Sequence, residues 1–326
     1  MRLWFIGEGV FASLCLGHLK RLFGGELERV YTGLPTVANR GRETPSPVEI
    51  KALELGFVSG KDFFRTGPLS KNEEFMSEIK VNAPDAVFVV DFGQIIREPL
   101  LNAPRLGCVN IHPSLLPRWR GAAPIQRALM NGDTETGVTV FRLVPAMDAG
   151  PVIRSASIKT GLNVSASQLY VELSELGAKI AFEGLKASEK NGAKLTEQDD
   201  AAATAASKLS RKEFEIFWDM PAVKIHNTAR ALDMSGGAYA TLSDGKRLKL
   251  WKTFPVEANG IAQMPGIVIK LDGDGPVISC GECALKLLEV QAEGKRRISA
   301  AEWARGSRIR EGQSLLAADM RGEPPS

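Results

Sequence analysis

Three polar side chains in apolar surroundings could together move an acyl group onto an amine. Asn110 and His112 stand two residues apart in Cys108-Val-Asn-Ile-His112. On a strand, that spacing projects both side chains from one face. The strand gives way at once to a turn-laden loop carrying Pro113, Ser114, Pro117 and Gly121. A second loop, Pro145-Ala-Met-Asp148-Ala-Gly150-Pro151, again follows an apolar strand. Attack of an amine on an acyl carbon needs donors for the oxyanion and an acceptor for the proton the nitrogen sheds. An amide, an imidazole and a carboxylate supply those parts. Taken singly each has a plainer role: a strand histidine is commonly a hydrogen-bonded core residue, and an aspartate before Ala-Gly suits a turn. The combination on neighbouring strand ends is what points to chemistry, because open α/β sheets bind ligands at that edge.

Two other motifs point elsewhere. Gly7-x-Gly9-x-x-Ala12 lies between a strand and a helix, as in a dinucleotide fingerprint. That fingerprint also needs an acidic residue at the end of the second strand. This one ends Tyr31-Thr32-Gly33-Leu34 and is followed by Arg40 and Arg42. A tight strand-to-helix turn covers the glycines, which leaves a nicotinamide dehydrogenase as a weak alternative. Cys280 and Cys283 form C-x-x-C, but the chain has four cysteines and no second such pair. A four-ligand zinc site therefore lacks its ligands, no metal is expected, and the two cysteines read as part of a buried strand.

The elements that must hold the polar set follow from periodicity. Residues 1–6, 28–32, 86–90, 109–112 and 137–143 read as apolar strands, and 10–19, 47–55, 71–82, 124–131 and 166–190 as helices. Their alternation predicts an α/β fold, an open Rossmann-like and mostly parallel sheet wound on both faces. Between them, the loop 34–47 is long and rich in Pro, Gly and Arg. After residue 190 the character changes. Gln198-Asp-Asp-Ala-Ala-Ala-Thr204 is small and polar, as a linker or a strap across a surface would be. A helix over 221–232 then precedes short β-like runs at 238–242, 247–254, 266–270, 276–280 and 284–291, parted by Gly-Asp and Asp-Gly turns. Five short strands suggest a small OB-like β-barrel. The division is therefore a domain at 1–190, a linker at 191–208 and a second domain at 209–326.

Composition sets limits. At 326 residues, 44% hydrophobic and 24% charged, the chain can bury two sizeable cores. No apolar run approaches a membrane span, and residues 1–6 enter a strand with no charged, apolar or cleavable leader, so a cytoplasmic protein is expected. The net charge of +3 is far below that of a basic nucleic-acid-binding arm.

With these residues in view, Asn110-x-His112, Ser114-Leu115-Leu116-Pro117-x-x-x-Gly121 and Asp148 resemble the folate-dependent formyltransferase family. The similarity extends through Leu106-Gly107, the run 116–129 and Gly132-Asp-x-Glu-Thr-Gly137-Val-Thr139. This longer match looks most like members acting on charged tRNA, and the resemblance also takes in Pro45-Ser-Pro-Val48, Lys208-Leu209-Ser210 and Arg40-Gly41-Arg42, where Arg42 replaces a usual lysine. The turn Ser235-Gly236-Gly237 departs from the family, which usually has a proline and a tryptophan there.

The resemblance implies transfer of the formyl group of 10-formyltetrahydrofolate to the α-amino group of methionyl initiator tRNA. Asn110 and protonated His112 would bind the oxyanion, and Asp148 would hold the histidine charged and accept the proton. Neither a metal nor a covalent enzyme intermediate is required. The pterin would lie against Val89, Val90, Asp91, Phe92 and Gly93, with Ser114, Leu115, Leu116, Pro117 and Gly121 completing the cofactor-binding set. Asp91 could instead cap a helix starting near Gln94. Arg40, Arg42, Lys208, Lys246, Arg247 and Lys249 would contact tRNA phosphates, which position a substrate without reading its bases. The chain would act as a monomer. A nucleotide-linked amino sugar or another small amine is the alternative acceptor. A nucleic-acid-binding module without catalysis leaves the Asn110, His112 and Asp148 set unexplained.

Overall fold

The computed structural model describes residues 1–37, 43–192, 194–257 and 264–316. Its contacts divide the chain into two units. One comprises Met1–Pro124, Glu135–Lys159 and Gln168–Ser207, the other Ile125–Thr134, Thr160–Ser167 and Lys208–Ser326.

The first unit is built on a seven-stranded sheet. Leu3–Gly7 is an inner strand, paired in parallel with Leu27–Gly33 on one side and with the central strand Ala86–Val90 on the other. Phe63–Thr66 extends the sheet past Leu27–Gly33, and Cys108–His112 extends it past Ala86–Val90, both in parallel. Glu135–Arg142 then runs antiparallel to both its neighbours, Cys108–His112 and the edge strand Val152–Lys159. The chain thus winds outward in one direction, then returns to the centre and continues in the other. That reversal places a crevice between the C-terminal ends of Leu3–Gly7 and Ala86–Val90, where such sheets receive ligands.

The central strands are apolar because helices cover both faces. Trp4, Phe5, Ile6, Val87 and Phe88 are fully buried, each large side chain contributing roughly 1.5–3 kcal/mol. Helix Val10–Phe23 turns Phe11, Cys15, Leu16, Leu19 and Phe23 inward at helical spacing. Helix Glu73–Val81 begins later than periodicity suggests because the Asn72 side chain caps it, accepting from Phe75 N at 2.9 Å. Among the described residues no helix is long and apolar enough to cross a membrane.

The second unit carries an all-antiparallel sheet in the order Ala238–Thr241, Arg247–Val256, Ala284–Ala292, Pro276–Ser279, Val268–Leu271, with Ile298–Ser299 beside Ala284–Ala292. All five expected strands form. Leu248, Leu250, Leu285, Leu287 and Val290 point into a core shared with Trp218, Ile225 and Trp303. Helix Ala222–Ala231 is as expected, while helix Ala300–Gly306 is an addition. The Ser235-Gly236-Gly237 turn has a local cause. Both glycines have positive φ (105° and 82°), and Gly237 N–H closes the helix end on Leu232 O at 3.0 Å. The cysteines need correction: Cys280 lies buried just past its strand, its thiol pushed up to about 12 by burial, whereas Cys283 is exposed in the turn.

One ion pair in this unit makes its stability depend on pH. Arg127 pairs with the Glu213 carboxylate, which also accepts from Ser210 N at 2.8 Å and Ser210 Oγ at 2.9 Å. The Arg127 hydrogen bond, with help from Ser210, holds the Glu213 pKa at about 2, down from an ordinary 4.5. A depressed carboxylate stabilises the fold above the unfolded pKa and loses that contribution as pH falls from 4.5 to about 2. Arg127→Ala should therefore destabilise the protein near neutrality by about 1 kcal/mol or less, since the pair is partly exposed. Urea titrations across pH check this: the gap between variant and wild type should shrink as pH drops through that window.

Candidate active site

Cys108–His112 places Asn110 opposite Phe141 and His112 opposite Thr139 on the neighbouring antiparallel strand. Asn110 is half-buried, and among the described residues its amide has no hydrogen-bond partner. Its N–H groups are uncommitted donors beside the histidine.

Beyond His112 the chain folds back on itself. Ser114 N–H donates to His112 O at 2.8 Å, Ser114 Oγ to Arg118 O at 2.7 Å, and Thr139 Oγ1 to Ser114 O at 2.7 Å. Trp119, with left-handed φ of 61°, then turns its carbonyl to His112 Nε2 at 2.9 Å. A carbonyl only accepts, so Nε2 carries a proton and the ring nitrogen left uncommitted is Nδ1. That atom lies 3.8 Å from Asp148 Oδ2. His112 itself is only 5% exposed.

Asp148 also has positive φ, 50°. Its Oδ2 accepts Gly121 N–H at 2.8 Å, and among the described residues Oδ1 has no hydrogen-bond partner. Two glycines permit this geometry. A Cβ on Gly121 would lie 2.6 Å from Ala206 O, and one on Gly150 would lie 1.8 Å from Arg142 O. Of the three residues singled out by type and spacing, His112 and Asp148 approach to 3.8 Å, and Asn110 shares the strand face of His112.

The segment read as linker lies against this site. Ala205–Ala206 pairs in parallel with Arg120–Gly121, and Thr196 exchanges both backbone hydrogen bonds with Val152 at 2.7 and 2.9 Å. Gln198 Nε2 donates to the carbonyls of Asp148 (2.9 Å) and Gly150 (2.7 Å), while its Oε1 accepts from Arg120 Nε (3.1 Å) and Nη2 (2.8 Å). Thr204 Oγ1 accepts Trp119 N–H at 2.9 Å. Sequence reasoning passed over Gln198, Thr204 and Arg120. The one signal was a glutamine opening a small-residue run, which composition alone does not distinguish from a tether.

The residues assigned to the cofactor fall into two groups. Val89 and Val90 are buried in the sheet, Phe92 is half-buried and Gly93 exposed. Asp91, with φ of 45°, accepts Glu8 N–H at 3.2 Å and Gly9 N–H at 3.4 Å on its carbonyl. Its carboxyl lies over Gly9, where a Cβ would meet Oδ2 at 1.8 Å, and burial raises its pKa, with Glu8 adding to the shift. No helix starts near Gln94, so Asp91 caps nothing; Gln94 instead pins the preceding loop through Leu69 N and Gly67 O. In the second group, Ser114 is fully buried and Leu115 packs where a Cβ on Gly137 would lie 2.5 Å from its Cδ2. Leu116 and Pro117 are half-buried, as is Gly121. These residues shape the loop that carries Trp119. Met147, not among the candidates, stands 74% exposed beside Asp148.

Packing also accounts for the Gly7 and Gly9 motif, since a Cβ on Gly7 would lie 2.6 Å from Val90 O. Arg40 and Arg42 lie outside the described residues. In the second unit Lys208 is exposed, and Lys246 is paired with Asp244 at 2.9 Å. Strand alternation turns Arg247 and Lys249 away from the core, Arg247 4.6 Å over Tyr239 and Lys249 5.7 Å over Trp251, which Arg297 also covers at 4.9 Å. Among the described residues no three His, Cys, Asp or Glu side chains are grouped to hold a metal ion.

Comparison with known proteins gives a consistent result. Residues 29–185 match the formyl transferase family and residues 208–308 its C-terminal domain. A methionyl-tRNA formyltransferase of Methylobacterium nodulans is 36% identical over 97% of this chain and 99% of its own length. One from Caldanaerobacter subterraneus is 36% identical over 97% and 100%. Among solved structures, HypX from Aquifex aeolicus with tetrahydrofolic acid superposes with a TM-score of 0.63 at 18% identity, covering 93% of this chain and 47% of that one. This chain thus spans about half of HypX. WlaRD, a sugar 3N-formyl transferase, gives 0.62 at 18% identity, covering 91% and 99%. At that identity the structural likeness speaks for the fold.

Proposed function

The chain belongs to the formyl transferase family, and from that premise we propose that it moves the formyl group of 10-formyltetrahydrofolate to the α-amino group of methionyl initiator tRNA. The neutral amine attacks the formyl carbon, and the carbonyl π electrons move onto oxygen. Asn110 N–H and the Nδ1–H of charged His112 donate to that oxyanion, with Nε2 already committed to Trp119. Asp148 Oδ1 takes the proton lost by the attacking nitrogen. The bond to the donor nitrogen then breaks as the oxyanion collapses, and that nitrogen recovers a proton, so protons balance. Preorganised donors of this kind need no reorganisation during the reaction, which makes them effective in a partly dry site.

In this reading the folate ring occupies the crevice edged by Val89, Val90, Asp91, Phe92 and Gly93, where backbone groups meet its polar edge. The catalytic domain is 1–190, and 209–326 meets tRNA through Lys246, Arg247 and Lys249, with Lys208 at the end of the linker and Arg40 and Arg42 on the acceptor stem. One copy of the chain and no metal suffice.

The observation that carries the chemistry is the approach of Asp148 to His112 Nδ1 at 3.8 Å, with Asn110 uncommitted on the same strand face. The acceptor rests on near full-length identity to tRNA-directed relatives. The test supplies the donor with either Met-tRNA or an amino-sugar nucleotide. Formyl-Met-tRNA is the expected product; formylation of the sugar alone would overturn the acceptor assignment.

A further inference from the structure

We propose that the strap at residues 196–206 is a positioning device for catalysis, acting through two side chains: Gln198 sets Asp148, and Thr204 sets His112. The inference rests on the formyl-transfer reading and extends it to residues outside the reacting set.

Gln198 uses its full hydrogen-bonding capacity. Its amide nitrogen gives one hydrogen each to the carbonyls of Asp148 and Gly150, and its oxygen receives two from Arg120. The orientation of the amide is thereby fixed, because the carbonyls only accept and the guanidinium only donates. Asp148 needs this support. At φ 50° it holds a conformation that aims its carboxylate at both Gly121 N–H and the His112 ring. Its backbone carbonyl is anchored by Gln198.

Thr204 acts on the other side. Trp119 also has positive φ; Thr204 Oγ1 receives its N–H, and its carbonyl receives His112 Nε2–H. One residue, Trp119, thus links the strap to the tautomer of the catalytic ring. The strap itself is tied down independently of these side chains. Backbone pairs hold Thr196 to Val152 and Ala205–Ala206 to Arg120–Gly121, and Ala123 N–H bonds Ala206 O at 3.1 Å. Removing either side-chain contact therefore leaves the strap in place and loosens the residues it aims.

The test uses full-length protein with 10-formyltetrahydrofolate and Met-tRNA. Gln198→Glu keeps an acceptor for Arg120 but faces two carbonyls with a carboxylate. Thr204→Val removes the acceptor of Trp119 N–H at constant shape, and Thr204→Ser restores it. Displacement of a reacting group by an ångström costs on the order of 10²-fold, so Gln198→Glu should lower kcat by about that factor. Thr204→Val should lower it in the same sense. KM for both substrates and the thermal midpoint should stay near wild type, and Thr204→Ser should recover the rate. Wild-type kcat in both Gln198→Glu and Thr204→Val would overturn the proposal, as would a Thr204→Ser variant as slow as Thr204→Val.

A second readout needs no turnover and separates this proposal from the functional reading. Side-chain nitrogen NMR of His112, one of three histidines, recorded at a pH where the ring is neutral, should show the Nε2–H tautomer in wild type and a mixture in Thr204→Val. An unchanged tautomer would overturn the Thr204 half even if the substrate assignment holds. Failure of wild type to formylate either acceptor would instead remove the functional reading and leave the tautomer result to stand alone.

Discussion

Asp148→Asn should lower kcat by about 10³-fold while folate affinity stays within about twofold, a general base being worth 10²–10⁴. The size of the effect follows from Gly121. Its N–H, 2.8 Å from Oδ2, still requires an acceptor, so the asparagine must place its oxygen there. The amide nitrogen then occupies the position of Oδ1, presenting a donor where the attacking amine needs somewhere to leave its proton. The substitution also removes a full charge from 3.8 Å of His112 Nδ1, a separation at which unit charges interact by up to a few kcal/mol near a protein surface. The two losses act on one step and are not expected to add. Folate binding by equilibrium fluorescence, measured beside single-turnover formyl transfer, distinguishes the outcomes. Near-normal turnover would remove the carboxylate from the mechanism.

Asn110→Ala is the second large effect: kcat should fall by roughly 10²–10³ through loss of one oxyanion donor. Because the amide has no partner among the described residues, its removal breaks no internal hydrogen bond, and the thermal midpoint should be almost unchanged. Asn110→Asp, nearly identical in shape, should be slower still, since it sets a carboxylate against a developing negative charge. Steady-state kinetics of both variants at one pH would check the order. An alanine variant slower than the aspartate would show that space, not charge, is what the residue supplies.

The three polar positions stood out because each sits where local pattern is strong. Asn110 and His112 alternate with apolar Val109 and Ile111, and Asp148 falls in a Pro- and Gly-bounded loop. The same local logic missed the edge strand Val152–Lys159, whose side chains are mostly intermediate or exposed and include Arg154, Ser155 and Ser157. It also missed Phe63–Thr66, at four residues too short to show a period. A helix cap was the alternative role for Asp91 because aspartate favours caps, but its carboxyl packs over Gly9 instead. Gln198 was invisible for a different reason. Its partners are 48, 50 and 78 residues away, and only the closed tertiary structure gives its amide anything to hold.

Those separations have a temporal side. The sheet strands that carry the amide, the imidazole and the acid are complete once residue 159 has been made, yet the contacts that steady them come from residues 198–206. A growing polypeptide leaving the ribosome therefore holds its reactive groups unbraced until some forty further amino acids have followed. Bracing of these groups thereby waits until residue 206 has been made, with residues 209–326 still to emerge.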